Sequence, residues 1–204
     1  MTGSQVQVCA IAGGSGAGKT TLAMALMERL GEQATHHTID WYYRDLSHMT
    51  EPERAVVNFD HPDSLEVDLF VDHLRELRAG RDIDAPVYDF ASHTRSSKVR
   101  PVQSRPVIVA EGIHLLALEG VRALCDVLVF IDVDAEERLR RRIRRDVAER
   151  GRTEDSVRAQ WAATVAPMHD EFVGPSAAHS TVRVTIDDDL DVMAERLARR
   201  LTSA

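Results

Sequence analysis

Short apolar runs alternate with longer amphipathic patterns along the whole chain. VQVCAIA is a run of strand length, and QVCAIAGG reads as the first strand, from residue 7 to 14. TLAMALMERL then repeats apolar residues at helical spacing and predicts a helix over 18–30. HHTID reads as a short second strand, and SLEVDLFVDHLRELRAG as an amphipathic helix ended by Gly80. RPVIVAEG and DVLVFIDVD are β-branched and nearly continuous, as strands buried on both faces are. The spacing predicts helices over 135–150 and 154–172, a last strand in TVRVTID and a last helix in DLDVMAERLARRL. This alternation predicts an α/β fold with a parallel sheet and helices on both faces. Residues 81–105 break the rhythm: DIDAPVYDF and SKVRPVQ read as two extended arms around a turn, a hairpin leaving the main sheet.

Composition narrows the class. A chain of 204 residues with 44% hydrophobic content suits one globular domain, 1–204, with a small excursion. The net charge of -8 argues against a general nucleic-acid or membrane-surface binder, and no run of 18 apolar residues predicts a membrane span. The N-terminal MTGSQVQV lacks the charged and apolar regions of a signal peptide. Cys9 and Cys125 lie in or beside apolar runs and read as reduced core thiols. A cytoplasmic enzyme is the expectation. The nine histidines offer no metal-ligand spacing; His36, His37, His48, His73 and His179 read as surface or loop residues. Only Lys19 and Lys98 are lysines among 25 basic residues, so a lysine inside a motif carries extra weight.

GGSGAGKTT, between the first strand and the first helix, is that motif. Gly13, Gly18, Lys19 and Thr20 match the phosphate-loop pattern G-x-x-x-x-G-K followed by Ser or Thr. Gly13, Gly14, Ser15, Gly16, Ala17, Gly18, Lys19, Thr20 and Thr21 are therefore the expected nucleotide site. Bare backbone lets N–H groups converge on phosphate at a helix N-terminus, Lys19 would neutralise the outer phosphates and Thr20 would ligate Mg²⁺. Asp40 and Glu111 end two strands, where parallel sheets face their ligands. An acid there can hold Mg²⁺ or accept a proton from an attacking hydroxyl.

NFDHPDS reads first as helix entry, with Pro62 restricting His61 and Asp63 or Ser64 capping. Asp60 sits too early to cap and reads as a free carboxylate for sugar hydroxyls. Residues 138–152 hold eight arginines against Asp146 and Glu149, a local net of +6 that leaves -14 for the remainder. A solvated basic face is the bland reading. Arg138, Arg142 and Arg145 share one helical face, and Arg150 and Arg152 follow at the Gly151 break. A lid able to close over a triphosphate is favoured.

With NFDHPDS, PVYDFASHTR, VIVAEGI, RRIRRDVAERGR and PMHDEFVGPS in this order, the chain resembles the phosphoribulokinase/uridine kinase family from Val6 to about Ser176. The resemblance implies a P-loop kinase fold: a five-stranded parallel sheet flanked by helices, a small β-hairpin near 81–105 and an arginine-rich lid near 138–156. It implies transfer of the γ-phosphoryl group of ATP or GTP, with Mg²⁺, to the 5′-hydroxyl of uridine or cytidine, giving UMP or CMP. The implied partners are small molecules, with no nucleic acid or membrane, and the implied assembly is a homo-oligomer, dimer or tetramer.

Residue by residue, the resemblance makes Asp40 the acceptor of the hydroxyl proton and Tyr43 the residue closing that motif. It makes Asp60 the ribose-binding acid and Tyr88 and His93 the pyrimidine-reading pair. Thr20, Asp40 and Glu111 become the magnesium shell; Arg142, Arg145, Arg150 and Arg152 become lid and substrate arginines, Arg142 and Arg145 acting in the transfer; and Gln160 contacts the nucleoside. Two segments depart from the pattern. Trp41 in IDWYY is expected to alter the pocket edge, and AAHSTV after GPS replaces a Tyr-Ala-Asp run. The rival readings are a related kinase acting on a phosphosugar or pantothenate, a nucleotide-binding sensor without transfer, and a nucleic-acid motor. YDFASH weighs against the first, Asp40 with the nucleoside-site residues against the second, and length against the third.

Overall fold

The computed structural model describes residues 5–203; the first four residues of the N-terminal stretch read above, and the last residue of the 1–204 domain, lie outside the described residues. The chain runs β1 (Gln7–Gly13), α1 (Lys19–Leu30), β2 (Ala34–Thr38), α2 (Glu51–Ala55), α3 (Val67–Arg78), β3 (Ile83–Asp89), β4 (Thr94–Val102) and β5 (Val107–Glu111). It continues through α4 (Glu119–Arg122), β6 (Val127–Asp132), α5 (Ala135–Arg150), α6 (Glu154–Gln160), the single turns α7 (Ala166–Met168) and α8 (Gly174–Ser176), β7 (Val182–Thr185) and α9 (Leu190–Thr202).

Five strands form a parallel sheet in the order β2-β5-β1-β6-β7, and β3 and β4 form a separate antiparallel hairpin. Successive side chains point to opposite faces of a strand, and β1 divides accordingly. Val8, Ala10 and Ala12 join Phe70, Leu74 and Leu77 of α3 on one face. Cys9 and Ile11 join Leu22 and Leu26 of α1 and Leu197 and Leu201 of α9 on the other. Central strands buried on both sides read as continuous apolar runs for this reason. Cys9 and Cys125 are free thiols, Cys9 fully buried and Cys125 partly so. Among the described residues no helix is long and apolar enough to cross a membrane.

Three expectations change. Neither Asp63 nor Ser64 caps α3: Pro62–Ser64 forms a 3₁₀ turn of its own, Ser64 Oγ donates to the Phe59 and His61 carbonyls, and α3 starts after Glu66. The helix over 154–172 is α-helical only in parts, because π turns at Trp161–Val165 and His169–Val173 interrupt it. His37 is buried, stacked on Phe70 at 4.8 Å with Tyr42 at its edge, and not at the surface. Burial holds its pKa at about 3, so it packs as a neutral ring. Trp41 packs against the hairpin, with the Arg100 guanidinium 4.3 Å from its ring and His36 of β2 at its edge.

Candidate active site

The phosphate loop leaves β1 at Gly13 and enters α1 at Lys19. Gly13 has φ 145°, and a Cβ there would come within 2.6 Å of the Ile131 carbonyl. Gly16 has φ 82°, and a Cβ there would collide with the Arg138 carbonyl. The loop is bare both for a phosphate and because the root of α5 packs directly on it. Lys19 Nζ donates to the Gly14 carbonyl at 3.1 Å. Burial lowers the Lys19 pKa, and the charges of Glu111 and Asp40 oppose that shift. No side chain caps α1, so its first N–H groups stay available, with Thr20 and Thr21 exposed in the first turn.

Strand register brings the two acids together. Thr38 lies opposite Glu111 in the β2–β5 pair, and Asp40 follows two residues later in a 3₁₀ turn whose N–H donates to Thr38 Oγ1 at 3.2 Å. Burial and then the neighbouring Glu111 charge push the Asp40 carboxyl up to about 6, against the pull of Lys19, Arg150 and Arg145. Burial would also raise Glu111, yet it lies below the ordinary carboxylate range because His36, Lys19 and Thr20 favour its charge. His36 Nε2 stands 3.7 Å from Glu111 Oε1, and Thr20 Oγ1 donates to the same carboxylate, 3.3 Å from each oxygen. This set of a hydroxyl and two carboxylates fits Mg²⁺, which takes few protein oxygens and completes its shell with phosphates and water. Among the described residues no three His, Cys, Asp or Glu side chains converge as a metal cage.

An aromatic cluster that includes Tyr43 forms near Asp40. The hairpin delivers Tyr88, Phe90 and His93 onto Tyr43 and Phe59: Tyr43 and Tyr88 are 5.2 Å apart, and His93 stacks on Phe59 at 4.6 Å. His93 has φ 54°, a left-handed backbone that non-glycine residues adopt at a cost, often where a site demands it. The Tyr88 hydroxyl is buried without a hydrogen-bond partner, and burial raises its pKa to about 12, so it keeps its proton. Tyr43 is also held well above the ordinary tyrosine value, by burial and then by the charges of Asp40 and Asp60. Asp60 is not free: Thr164 Oγ1 donates to its Oδ2 at 2.7 Å. Burial keeps His114 neutral with a pKa of about 4, so its Nε2 donates to the Asp60 main-chain carbonyl at 2.9 Å. A cavity of about 10 Å³, room for one water, lies between Ser15, Asp60 and His169.

The arginines divide: Arg140, Arg144 and Arg150 are exposed, whereas others turn inward. Arg138 is 4% exposed and Arg142 6% exposed. Arg138 Nε donates to the Val133 carbonyl at 2.9 Å and its guanidinium lies over Trp161. Arg141 Nη1 reaches the Ala17 carbonyl at 3.3 Å, and Arg142 Nη1 donates to Ser15 Oγ at 2.9 Å. The first turns of α5 are thus seated on the phosphate loop. Arg142 and Arg152 both donate to Gln160 Oε1, and Arg142, Arg145, Arg150 and Arg152 surround Asp146. Phe59, Thr164, His114 and Asp146 escape a reading of the sequence as site members. Phe59 has the signal of standing beside Asp60, whereas Thr164 and His114 act across 104 and 54 residues with no local mark.

Comparison with known proteins agrees with this geometry. The model of the phosphoribulokinase/uridine kinase family matches residues 8–192. A uridine kinase of Chloroflexus aurantiacus is 45% identical over 176 residues, 86% of this chain and 84% of the relative. One of Bacillus mycoides is 40% identical over 196 residues, 94% and 92% of the two chains. Among solved structures, phosphoribulokinase from Rhodobacter spheroides superposes with a TM-score of 0.67 at 15% identity, covering 93% of this chain and 75% of that one, a likeness of fold. With the family model matched over residues 8–192 and uridine kinases 40–45% identical over most of its length, the chain belongs to the phosphoribulokinase/uridine kinase family.

Proposed function

We propose that the protein is a nucleoside kinase that transfers the γ-phosphoryl group of ATP or GTP to the 5′-hydroxyl of uridine or cytidine. The observation that carries the reading is the position of Asp40. Its carboxyl has a raised proton affinity and sits among the charges of Lys19, Glu111 and the arginines, three residues before Tyr43, whose ring packs against Tyr88 of the hairpin. Phosphoryl transfer asks for positioning and charge stabilisation, with a base near the attacking hydroxyl.

In this reading the Gly14–Gly18 loop and Lys19 hold the triphosphate, and Asp40 takes the proton of the 5′-hydroxyl as its oxygen bonds to the γ-phosphorus and the bond from that phosphorus to the β–γ bridging oxygen breaks, releasing ADP. Asp60, oriented by Thr164, accepts from ribose hydroxyls, and Tyr88 offers its unpartnered hydroxyl to the base. Phe59 and Tyr43 wall the ring. Arg142, Arg145, Arg150 and Arg152 stabilise charge on the moving group, and Gln160, whose Oε1 accepts from Arg142 and Arg152, reaches the nucleoside beside them. Thr20, Glu111 and Asp40 would hold Mg²⁺, which supplies neutralisation of phosphate charge. The curated relatives named uridine kinase support the same substrate class.

The test is ADP production with Mg-ATP and, in turn, uridine, cytidine, adenosine, ribulose 5-phosphate and pantothenate, with Asp40→Asn as control. Turnover of uridine or cytidine that the control lacks is expected. Turnover confined to the phosphosugar or pantothenate would replace the acceptor, and turnover of none would remove the transferase reading.

A further inference from the structure

Asp146 sits one turn beyond Arg142 on α5 and its side chain is completely buried. A carboxylate survives such burial only when charges and donors offset its desolvation. Four guanidiniums do so here. Arg145 is the close one, with Nη2 2.8 Å and Nε 2.9 Å from Oδ1. Arg142 Nε and Arg152 Nη1 stand 3.5 and 3.6 Å from Oδ2, and Arg150 Nε stands 3.7 Å from Oδ1. Oδ2 accepts no hydrogen bond, so the hold on three of the four arginines is electrostatic. The main-chain carbonyl of the same residue accepts from the N–H groups of Gly151 and Arg152. Asp146 therefore ends the helix, turns the chain that delivers Arg152, and gathers the side chains on both sides of the turn.

Charge gives this arrangement its direction. Four guanidiniums around one carboxylate leave a surplus of three positive charges beside the phosphate loop, to which Arg142 is bonded through Ser15. Without the carboxylate the guanidiniums would repel one another and spread into solvent. With it they stand ready before an anion arrives, and charge that needs no rearrangement at the moment of reaction is the effective kind.

We propose that Asp146 is a positioning residue for phosphoryl transfer: its carboxylate holds Arg142, Arg145, Arg150 and Arg152 as one cluster whose surplus charge meets the transferred group. The inference rests on the kinase reading above for the role of those arginines.

Asp146→Asn removes the charge and keeps the shape. At saturating Mg-ATP and nucleoside its kcat is expected to fall at least about tenfold. Its affinity for Mg-ATP, followed by titration with a fluorescent ATP analogue, is expected to stay within about threefold of wild type, because Arg142 keeps its hydrogen bonds to Ser15 and Gln160 while the other guanidiniums spread. A purely structural role would instead lower melting temperature, binding and rate together. A kcat within about twofold of wild type, or parallel loss of binding and rate, overturns the proposal. Asp146→Glu keeps the charge but shifts it by one methylene, so it should fold and remain at least about fivefold slow. A wild-type rate in that variant overturns the proposal even if Asp146→Asn aggregates. Wild-type protein that turns over neither nucleoside removes the substrate reading instead. The Asp146 proposal is then judged by the Mg-ATP titration, where binding by Asp146→Asn weaker by more than about threefold overturns it.

Discussion

Arg142 donates from Nη1 to Ser15 Oγ at 2.9 Å, joining the middle of α5 to the phosphate loop across 127 residues of sequence. Arg138 and Arg141 meet the same loop, so the segment expected to close over the triphosphate is anchored at its root. Any closing motion then belongs to the stretch beyond Arg145, where the chain turns at Gly151.

That anchoring makes Arg142→Ala a loop mutation as well as a loss of one cation. Both Mg-ATP affinity and kcat should fall, with kcat/KM for ATP lower by at least about a hundredfold. Steady-state kinetics with ATP varied checks this; an ATP KM and kcat near wild type would detach Arg142 from the site.

Asp40→Asn should lose transfer by about 10²–10⁴-fold, because the proton acceptor is removed, with a smaller loss of Mg-ATP affinity because one of the three groups that would hold Mg²⁺ goes with it. Near-normal turnover would move the base elsewhere.

Asp40 also has a stability signature. Its pKa rises from the ordinary 3.8 to about 6 on folding, so the native state binds more protons than the unfolded chain between those values. Stability contributed by the neutral carboxyl is therefore lost as pH rises through that window. In metal-free protein with EDTA, Asp40→Asn should melt higher than wild type at pH 7 and nearly equal to it near pH 4. A melting difference that does not depend on pH would contradict the buried, unfavourable charge.

Thr164→Val removes the donor that orients Asp60 without changing the size of the side chain. A hydrogen bond to a charged group contributes about 1.5–3 kcal/mol, so the nucleoside KM should rise about tenfold or more while the ATP KM holds. Equal nucleoside KM values in the two proteins would remove Thr164 from the acceptor site.

Phe59→Ala removes the ring on which His93 stacks. The hairpin tip should loosen, costing about 0.5–1.5 kcal/mol of aromatic contact and weakening nucleoside binding more than ATP binding. His93→Ala should have the same split; unchanged nucleoside kinetics in both would separate the hairpin from base recognition.

Elements set by local chemistry were legible in the chain. Period-two and continuous apolar runs mark β1, β5 and β6, helical spacing marks α1, α3, α5 and α9, and the glycine-lysine loop declares its own use. The arms of the 81–105 hairpin were legible too, because their turn is local. Sequence misplaced the entry to α3 because a 3₁₀ turn at Pro62–Ser64 uses the same residues as a cap would. It missed the π turns because their apolar spacing departs little from that of an α-helix.

The sequence by itself determined the layers, the phosphate loop and the residue types at the strand ends, all of which depend on neighbours a few positions away. The tertiary structure decided which charges are solvated and which are held. Asp146 reads as one acid among many arginines, yet folding buries it and makes it their shared counter-ion. Asp60 reads as free, yet Thr164 claims one of its oxygens. Burial and pairing across a hundred residues depend on how whole elements pack, and no local pattern in the chain encodes that distance.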